Sequence, residues 1–361
     1  MNWLERYYKN KEKLIDANLY NPSQEHDACG VGFIASIDGI PNKRVVTSGI
    51  EALKAVWHRG AVDADGKTGD GAGIHLEIPK QFFEDEVKKT GHEIMDGDLG
   101  IGMIFLPRND YTALEKCRTI VESELIDHGY YIYGWRQVPL DTSVLGKKAN
   151  STRPEIEQVM FVNNIERKDE EDLDKELFLI RRRIEKRILN LQITEFYICS
   201  LSFNTVIYKG LFLAEHISTF YPDLEDEKFI SSFSIFHQRY STNTFPSWAL
   251  AQPFRTLAHN GEINTISGNT NWMRNHENRI ASELFGEDSD QIKPIIIRGS
   301  SDSSALDAAF EMFVRAGRSA PLTKTLLMPE AWSKRSKLIP ESHSNMYEFA
   351  NAVIEPWDGP A

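Results

Sequence analysis

Cysteine is scarce in this chain: 361 residues contain three, Cys29, Cys117 and Cys199, all far apart. That spacing excludes a disulfide framework and any Cys-x-x-Cys metal or iron–sulfur site, so cysteine chemistry here would have to be nucleophilic. Long apolar runs are missing too. No stretch approaches the ~20 residues needed to span a bilayer, and the first residues lack the apolar core of a secretory signal, so the expectation is a cytoplasmic protein. Basic charge is outnumbered, with 41 Lys and Arg against 53 Asp and Glu and a net charge of -12. This argues against a nucleic-acid surface and against attraction to an anionic membrane. Repeats, low-complexity tracts and Gly/Ser linkers are absent as well. What remains as a partner is a small molecule or another protein.

Apolar material for a sizeable core is present, at 41% hydrophobic and 11% aromatic residues. Trp3, Leu4, Tyr7 and Tyr8 recur at helical spacing until Asn21-Pro22 breaks the pattern, so residues 1–28 read as an appended segment. Val31 to Ile37 reads as a strand, and Ile50, Leu53 and Trp57 mark one face of the next helix. Further strands are expected at Gly71 to Ile78, Ile101 to Leu106 and Tyr130 to Val138, with a helix on Tyr111, Leu114, Cys117, Val121 and Leu125 between the last two. An acidic run from Asp169 to Asp174 followed by Arg181, Arg182 and Arg183 suggests an exposed helix whose arginines face solvent. Phe196 to Ser202 and Thr205 to Lys209 suggest a hairpin around Phe203-Asn204. Phe233 to His237 and Arg255 to His259 suggest two more strands, and 265–284 and 303–316 suggest helices. The succession fits a single α+β domain with antiparallel strands and helices outside them.

Several short motifs carry possible chemistry, and each has a plain structural alternative. Asp27-Ala28-Cys29-Gly30-Val31-Gly32 sets one cysteine between small residues at the mouth of a strand, where glycine permits close approach, although a lone cysteine is commonly a packing residue. Trp57-His58-Arg59-Gly60-Ala61 leads into Thr68-Gly69-Asp70-Gly71-Ala72-Gly73, a loop without the Lys-Ser/Thr ending of a phosphate loop. His237-Gln238-Arg239 follows an apolar strand, so the planar fork of Arg239 emerges at a strand end, suited to a carboxylate. The segment Thr244 to Gln252, with Pro246 and Trp248, is of a kind that closes over ligands. His259-Asn260-Gly261-Glu262 is either a tight hairpin turn or a pair of oxyanion donors, the Asn260 amide and the Gly261 N–H. Gly299-Ser300-Ser301-Asp302-Ser303 opens a helix, so Asp302 is either capping chemistry or a partner for a ligand ammonium group.

Taken in this order, the Cys-Gly start, the His-Arg-Gly turn, the His-x-Arg-Tyr strand end, the His-Asn-Gly-Glu segment and the Ser-Asp-Ser helix start resemble the class II glutamine amidotransferases. Within them, Glu25 to Ile34, His58 to Ala61, Thr68 to Gly73, His237 to Asn269 and the closing Glu355 to Ala361 look like the amidotransferase domains of glutamate synthases. The resemblance spans nearly the whole chain. It implies an N-terminal-nucleophile hydrolase fold, a four-layer αββα sandwich. It also implies removal of residues 1–28 as a propeptide, leaving a 29–361 glutaminase domain.

By the same resemblance Cys29 is the nucleophile, Asn260 and Gly261 form the oxyanion hole, Arg239 binds the α-carboxylate of L-glutamine, and Asp302 binds its α-ammonium. No cofactor is expected in this chain. FMN and an iron–sulfur cluster are expected in the remaining synthase domains, which would be its protein partners. Other class II amidotransferases, an N-terminal-cysteine acylase and a non-catalytic glutamine-binding module are the alternatives.

Overall fold

The computed structural model describes residues 3–17, 30–163, 170–239, 244–280, 285–329 and 339–359. Cys29 and Tyr240 to Asn243 therefore lie outside the described residues. A helix α1 (Trp3–Asp16) is followed by β1 (Val31–Ala35), α2 (Lys43–Ala55), β2 (Ala72–Glu77), α3 (Lys80–Lys89), β3 (Asp98–Leu106), α4 (Tyr111–Asp127) and β4 (Tyr131–Gln137). Then come α5 (Lys147–Ser151), β5 (Glu155–Asn163), α6 (Glu170–Asn190), β6 (Tyr197–Ser202), β7 (Thr205–Gly210), α7 (Ile217–Phe220) and β8 (Phe233–Gln238). The chain closes with α8 (Ile266–Glu277), α9 (Asp302–Arg315), α10 (Ala320–Leu327) and α11 (Glu341–Val353).

The strands make two antiparallel sheets, ordered β1-β8-β2-β7 and β4-β5-β3-β6. One apolar core joins residues of both sheets, among them Ile74, Tyr208, Met103 and Met160, to the buried faces of α2 and α3. A second core seats α4 and α6 on Ile104, Val159 and Phe161 of the other sheet. The expected mixed helix-and-sheet sandwich is therefore the architecture found. The last four helices enclose a third cluster around Leu306, Ala309 and Trp357.

Local chemistry sets several boundaries. Asn42 caps α2 by accepting from Val45 N at 3.0 Å, Asp110 caps α4 through Ala113 N at 2.9 Å, and Ser301 caps α9 through Ser304 N at 3.2 Å. β2 has no wet face: Ala72 to Leu76 are all buried, because the strand lies between β8 and β7 with both faces covered.

Four expectations need correction. Phe203-Asn204 joins no hairpin, because β6 and β7 belong to different sheets and the chain crosses from one to the other there. Arg255 to His259 is irregular rather than a strand. Trp57 lies in a short 3₁₀ turn beyond α2 and is exposed, whereas Ile50 and Leu53 are buried as expected. Arg181 and Arg182 are not solvated. Arg181 donates to Glu185 and Glu311 at 2.7 and 2.6 Å, and Arg182 donates to Glu185 and to the Ile292 carbonyl at 2.5 and 3.0 Å.

Candidate functional site

The register of the first sheet brings three chain segments to one end. Val31 of β1 opposes His237 of β8, and Ala72 of β2 opposes Gln238. Just beyond the strands, Gln238 N donates to Gly30 O at 2.5 Å and Arg239 N donates to Gly71 O at 2.8 Å. Gly30, Arg239 and the Asp70-Gly71 turn thus stand side by side, and the peptide bond ties Cys29 to that edge through Gly30. Two glycines are needed for this closeness. Gly71 has φ +131, outside the range that side-chain-bearing residues favour, and a Cβ on Gly60 would meet the Gln238 side-chain amide at 1.9 Å.

Arg239 is 5% exposed. Its Nη2 donates to Thr244 Oγ1 at 2.8 Å, while Nη1 is buried without a partner among the described residues. Burial lowers the guanidinium pKa, and Asp70 and Asp302 oppose that shift; an arginine in this position stays charged. Two carboxylates thus lie within electrostatic reach of a buried cation that has an unused donor. The arrangement suits a small zwitterion, with its carboxylate on Arg239 and its ammonium near an acid.

Asn260 and Gly261 approach the same edge from another direction. The Asn260 Oδ1 stands 3.3 Å from the point where a Cβ on Gly30 would project. The hairpin alternative for Asn-Gly is not what forms: neither residue has a positive φ, and residues 257–265 contain no strand. Asn260 is exposed and Gly261 half-buried. Beyond them, Asp302 in the first turn of α9 accepts from Ile263 N at 3.1 Å and from Ser303 N at 2.7 Å. A carboxylate there is favoured by the helix dipole, and its partial exposure leaves it room for a ligand cation.

The remaining candidates separate clearly. Cys117 and Cys199 are buried thiols whose pKa values burial pushes up to about 11 and about 12, so both are inert packing residues. The segment after Thr244 is anchored at its far end. Trp248 is buried and donates to Ala149 O at 3.2 Å, and the buried Lys209 donates to the carbonyls of Ala249 and Ala251 at 2.9 and 2.7 Å. Phe245, nearer the start of the segment, is by contrast 92% exposed. Cavities of about 230 Å³ beside Arg181 and about 340 Å³ beside Trp248 include none of Arg239, Asn260, Gly261 or Asp302. The convergent polar groups, rather than either of these hollows, mark the candidate site. Among the described residues no cluster of His, Cys, Asp and Glu has the makings of a metal site, and no helix is long and apolar enough to cross a membrane. Asp70 is the site neighbour that sequence reading passed over, since an aspartate in a glycine-rich loop looks like turn chemistry.

Comparison with known proteins adds a family. A model described as "Glutamine amidotransferases class-II" matches residues 29–361. The chain is 59% identical over 98% of its length to the "Glutamate synthase [NADPH] large chain" of Azospirillum brasilense, covering 23% of that protein. It is 41% identical over 95% of its length to the protein of the same description from Bacillus subtilis, covering 22%. It is also 41% identical over 96% of its length to the "Ferredoxin-dependent glutamate synthase" of Pyropia yezoensis, again covering 22%. The chain thus spans less than a quarter of the length of these relatives.

Proposed function

Because the chain belongs to the class-II glutamine amidotransferases, we propose that it hydrolyses L-glutamine as the ammonia-generating part of a glutamate synthase. One observation supports the reading: Arg239, Asn260-Gly261 and Asp302, far apart in sequence, gather at the sheet end that holds Gly30, the residue after Cys29 in the chain.

In this reading residues 1–28 are removed and Cys29 becomes the N-terminus, as the start of the family match at residue 29 supports. A free thiol with a pKa of about 8.5 is mostly protonated at neutral pH and needs a base. The freed α-amine, with a pKa of about 7.7 to 8.0, is that base, and it accepts the thiol proton directly or through a water. Sulfur then adds to the side-chain carbonyl carbon of glutamine. Negative charge gathers on the carbonyl oxygen, where the Asn260 amide and the Gly261 N–H stabilise it. The C–N bond breaks with the proton returned to nitrogen, ammonia leaves, and water hydrolyses the γ-glutamyl thioester to glutamate. Arg239 and Asp302 hold the α-carboxylate and α-ammonium throughout, away from the reacting carbon.

The longer relatives' names suggest that the ammonia is spent on glutamate formation. We assign that step, with its flavin and iron–sulfur chemistry, to synthase regions outside this chain. The setting is cytoplasmic in this reading, in keeping with only three cysteines, scattered along the chain.

The test is glutaminase activity with and without Cys29, together with the mass of the purified protein. Activity abolished in Cys29→Ala, a thioester trapped on Cys29 and a mature N-terminus at Cys29 are expected. Full activity in a protein that retains Met1, or in Cys29→Ala, overturns the mechanism. Asn260→Ala should lower kcat by about a hundredfold to a thousandfold with KM little changed. Wild-type kcat with a lowered melting temperature would reduce Asn260 to a loop-forming role.

A further inference from the structure

The segment carrying Asn260 and Gly261 has no sheet to hold it, yet an oxyanion donor helps only if it is fixed before the charge develops. What fixes it is a side chain. Gln252, 4% exposed, brackets the residue before Asn260 from both sides: its Nε2 donates to His259 O at 3.0 Å, and its Oε1 accepts from His259 N at 2.9 Å. This pair of bonds is the pattern that two facing strand residues make, supplied here by an amide side chain. His237, on β8 and 2% exposed, adds a second donor to the same carbonyl, its Nε2 lying 3.1 Å from His259 O. His259 is held at its ring as well, with Nδ1 2.8 Å from Ser303 Oγ.

The carbonyl so clamped belongs to the peptide unit whose nitrogen is that of Asn260. Peptide planarity means that fixing the C=O fixes the N–H and the start of the Asn260 backbone with it. Gln252 is seated in turn by the sheet. A Cβ on Gly73 of β2 would meet the Gln252 carbonyl oxygen at 2.5 Å, so the strand backbone is the floor on which this segment rests. The preceding Ala251 carbonyl is held by Lys209. A continuous path therefore runs from β2 through Gln252 and His259 to Asn260.

On the functional reading above, we infer that Gln252 is a positioning residue for the oxyanion donors: its side-chain amide sets the His259–Asn260 peptide plane and thereby aims Asn260 and Gly261 at the reacting carbonyl. It touches neither substrate nor nucleophile. Its loss acts on the transition state and leaves the Arg239 and Asp302 contacts to ground-state glutamine in place.

The experiment compares wild type, Gln252→Leu and Gln252→Glu in the whole protein, with kcat, KM and melting temperature measured on one preparation. Leucine removes both bonds, and kcat should fall by about tenfold to a hundredfold, the scale of a small misplacement of reacting groups, with KM within about twofold. Glutamate keeps an acceptor for His259 N but loses the donor to His259 O, and its kcat should lie between the two. Unchanged kcat in Gln252→Leu, or a loss confined to KM, overturns the inference even if the melting temperature drops. Should the wild type itself fail to hydrolyse glutamine, it is the functional reading that fails. Hydrogen exchange across residues 259–261 then decides the positioning role, faster in Gln252→Leu if the clamp is real and unchanged if it is not.

Discussion

Gly30 and Asn260 sit so close that a Cβ on Gly30 would lie 3.3 Å from Asn260 Oδ1, and 2.3 Å from the Gln238 carbonyl oxygen. The second contact is with backbone and has no easy escape. Gly30→Ala must therefore push the start of β1 away from β8, at the residue that follows Cys29 in the chain. Overpacking of this kind costs about 1–3 kcal/mol, and on the proposed mechanism glutaminase kcat should fall at least about tenfold as the attacking thiol is displaced. Urea unfolding and turnover on the same sample check both effects; wild-type values would mean that the edge is free to open.

On the proposed reading Arg239 and Asp302 serve glutamine binding rather than the chemistry. Arg239→Ala removes a charge-assisted contact worth about 1.5–3 kcal/mol, so KM for glutamine should rise by about tenfold to a hundredfold. Asp302→Asn removes the negative charge and keeps one oxygen to accept from Ile263 N, at the loss of the bond from Ser303 N. A comparable rise in KM with normal stability is expected. Unchanged KM in both variants removes the zwitterion clamp.

Much of this site was legible because its motifs lie at chain positions where few other roles explain all of them together. Arg239 at a strand end and Asp302 at a helix start drew their expected roles from the family resemblance that the motifs carry together, and the structure brings them within electrostatic reach of one another. Gln252 and Asp70 were not legible as site neighbours, since their roles exist only once β2, β8 and the loop have been folded together. The strand missed outright is β5, central in its sheet. Its apolar run is broken by Glu157 and Gln158, which are buried with partners: Arg118 Nε donates to Glu157 at 2.8 Å, and Arg136 donates to Gln158 at 2.8 Å. Periodicity treats such residues as solvent-facing and cannot see the arginines that satisfy them.

Two buried histidines should make the protein acid-sensitive. Burial pushes His75 down to about 4 and His237 down to about 3 from an ordinary value of 6.5. A group with a lowered folded pKa contributes stability that is full above the unfolded value and is lost as pH falls towards the folded one. The window therefore runs from pH 6.5 down to about 4 for His75 and about 3 for His237, with a ceiling of about 1.4 kcal/mol per pH unit for each group. His75→Leu, outside the site, should shrink the stability lost between pH 7 and pH 4.5 by about 2 kcal/mol. Chemical denaturation at the two pH values measures it, and an identical loss in both proteins would show that His75 does not titrate there.

Arg181 tests the largest departure from the sequence reading. A solvated arginine replaced by methionine should change stability by about 0.5 kcal/mol or less. Here the guanidinium is 3% exposed, lies 5.4 Å from the Phe178 ring centre and bonds Glu185 of its own helix and Glu311 of α9. Burial raises the Glu185 pKa, but Arg181 and Arg182 outweigh it and hold the carboxyl at about 2. Arg255 shares Glu311 and reaches the Ile198 carbonyl of β6 at 2.9 Å, so one network joins α6, α9 and the second sheet. Removing one partner strands buried charge, and Arg181→Met should cost about 3–5 kcal/mol. Adding Glu311→Leu to Arg181→Met removes an acid that keeps Arg255 but has lost Arg181, its shorter partner, so the double variant should be less destabilised than the sum of the two single changes. Urea midpoints for all four proteins complete the cycle. Additive losses, or a single-variant loss under about 0.5 kcal/mol, would return Arg181 to the solvated face that its sequence context suggests.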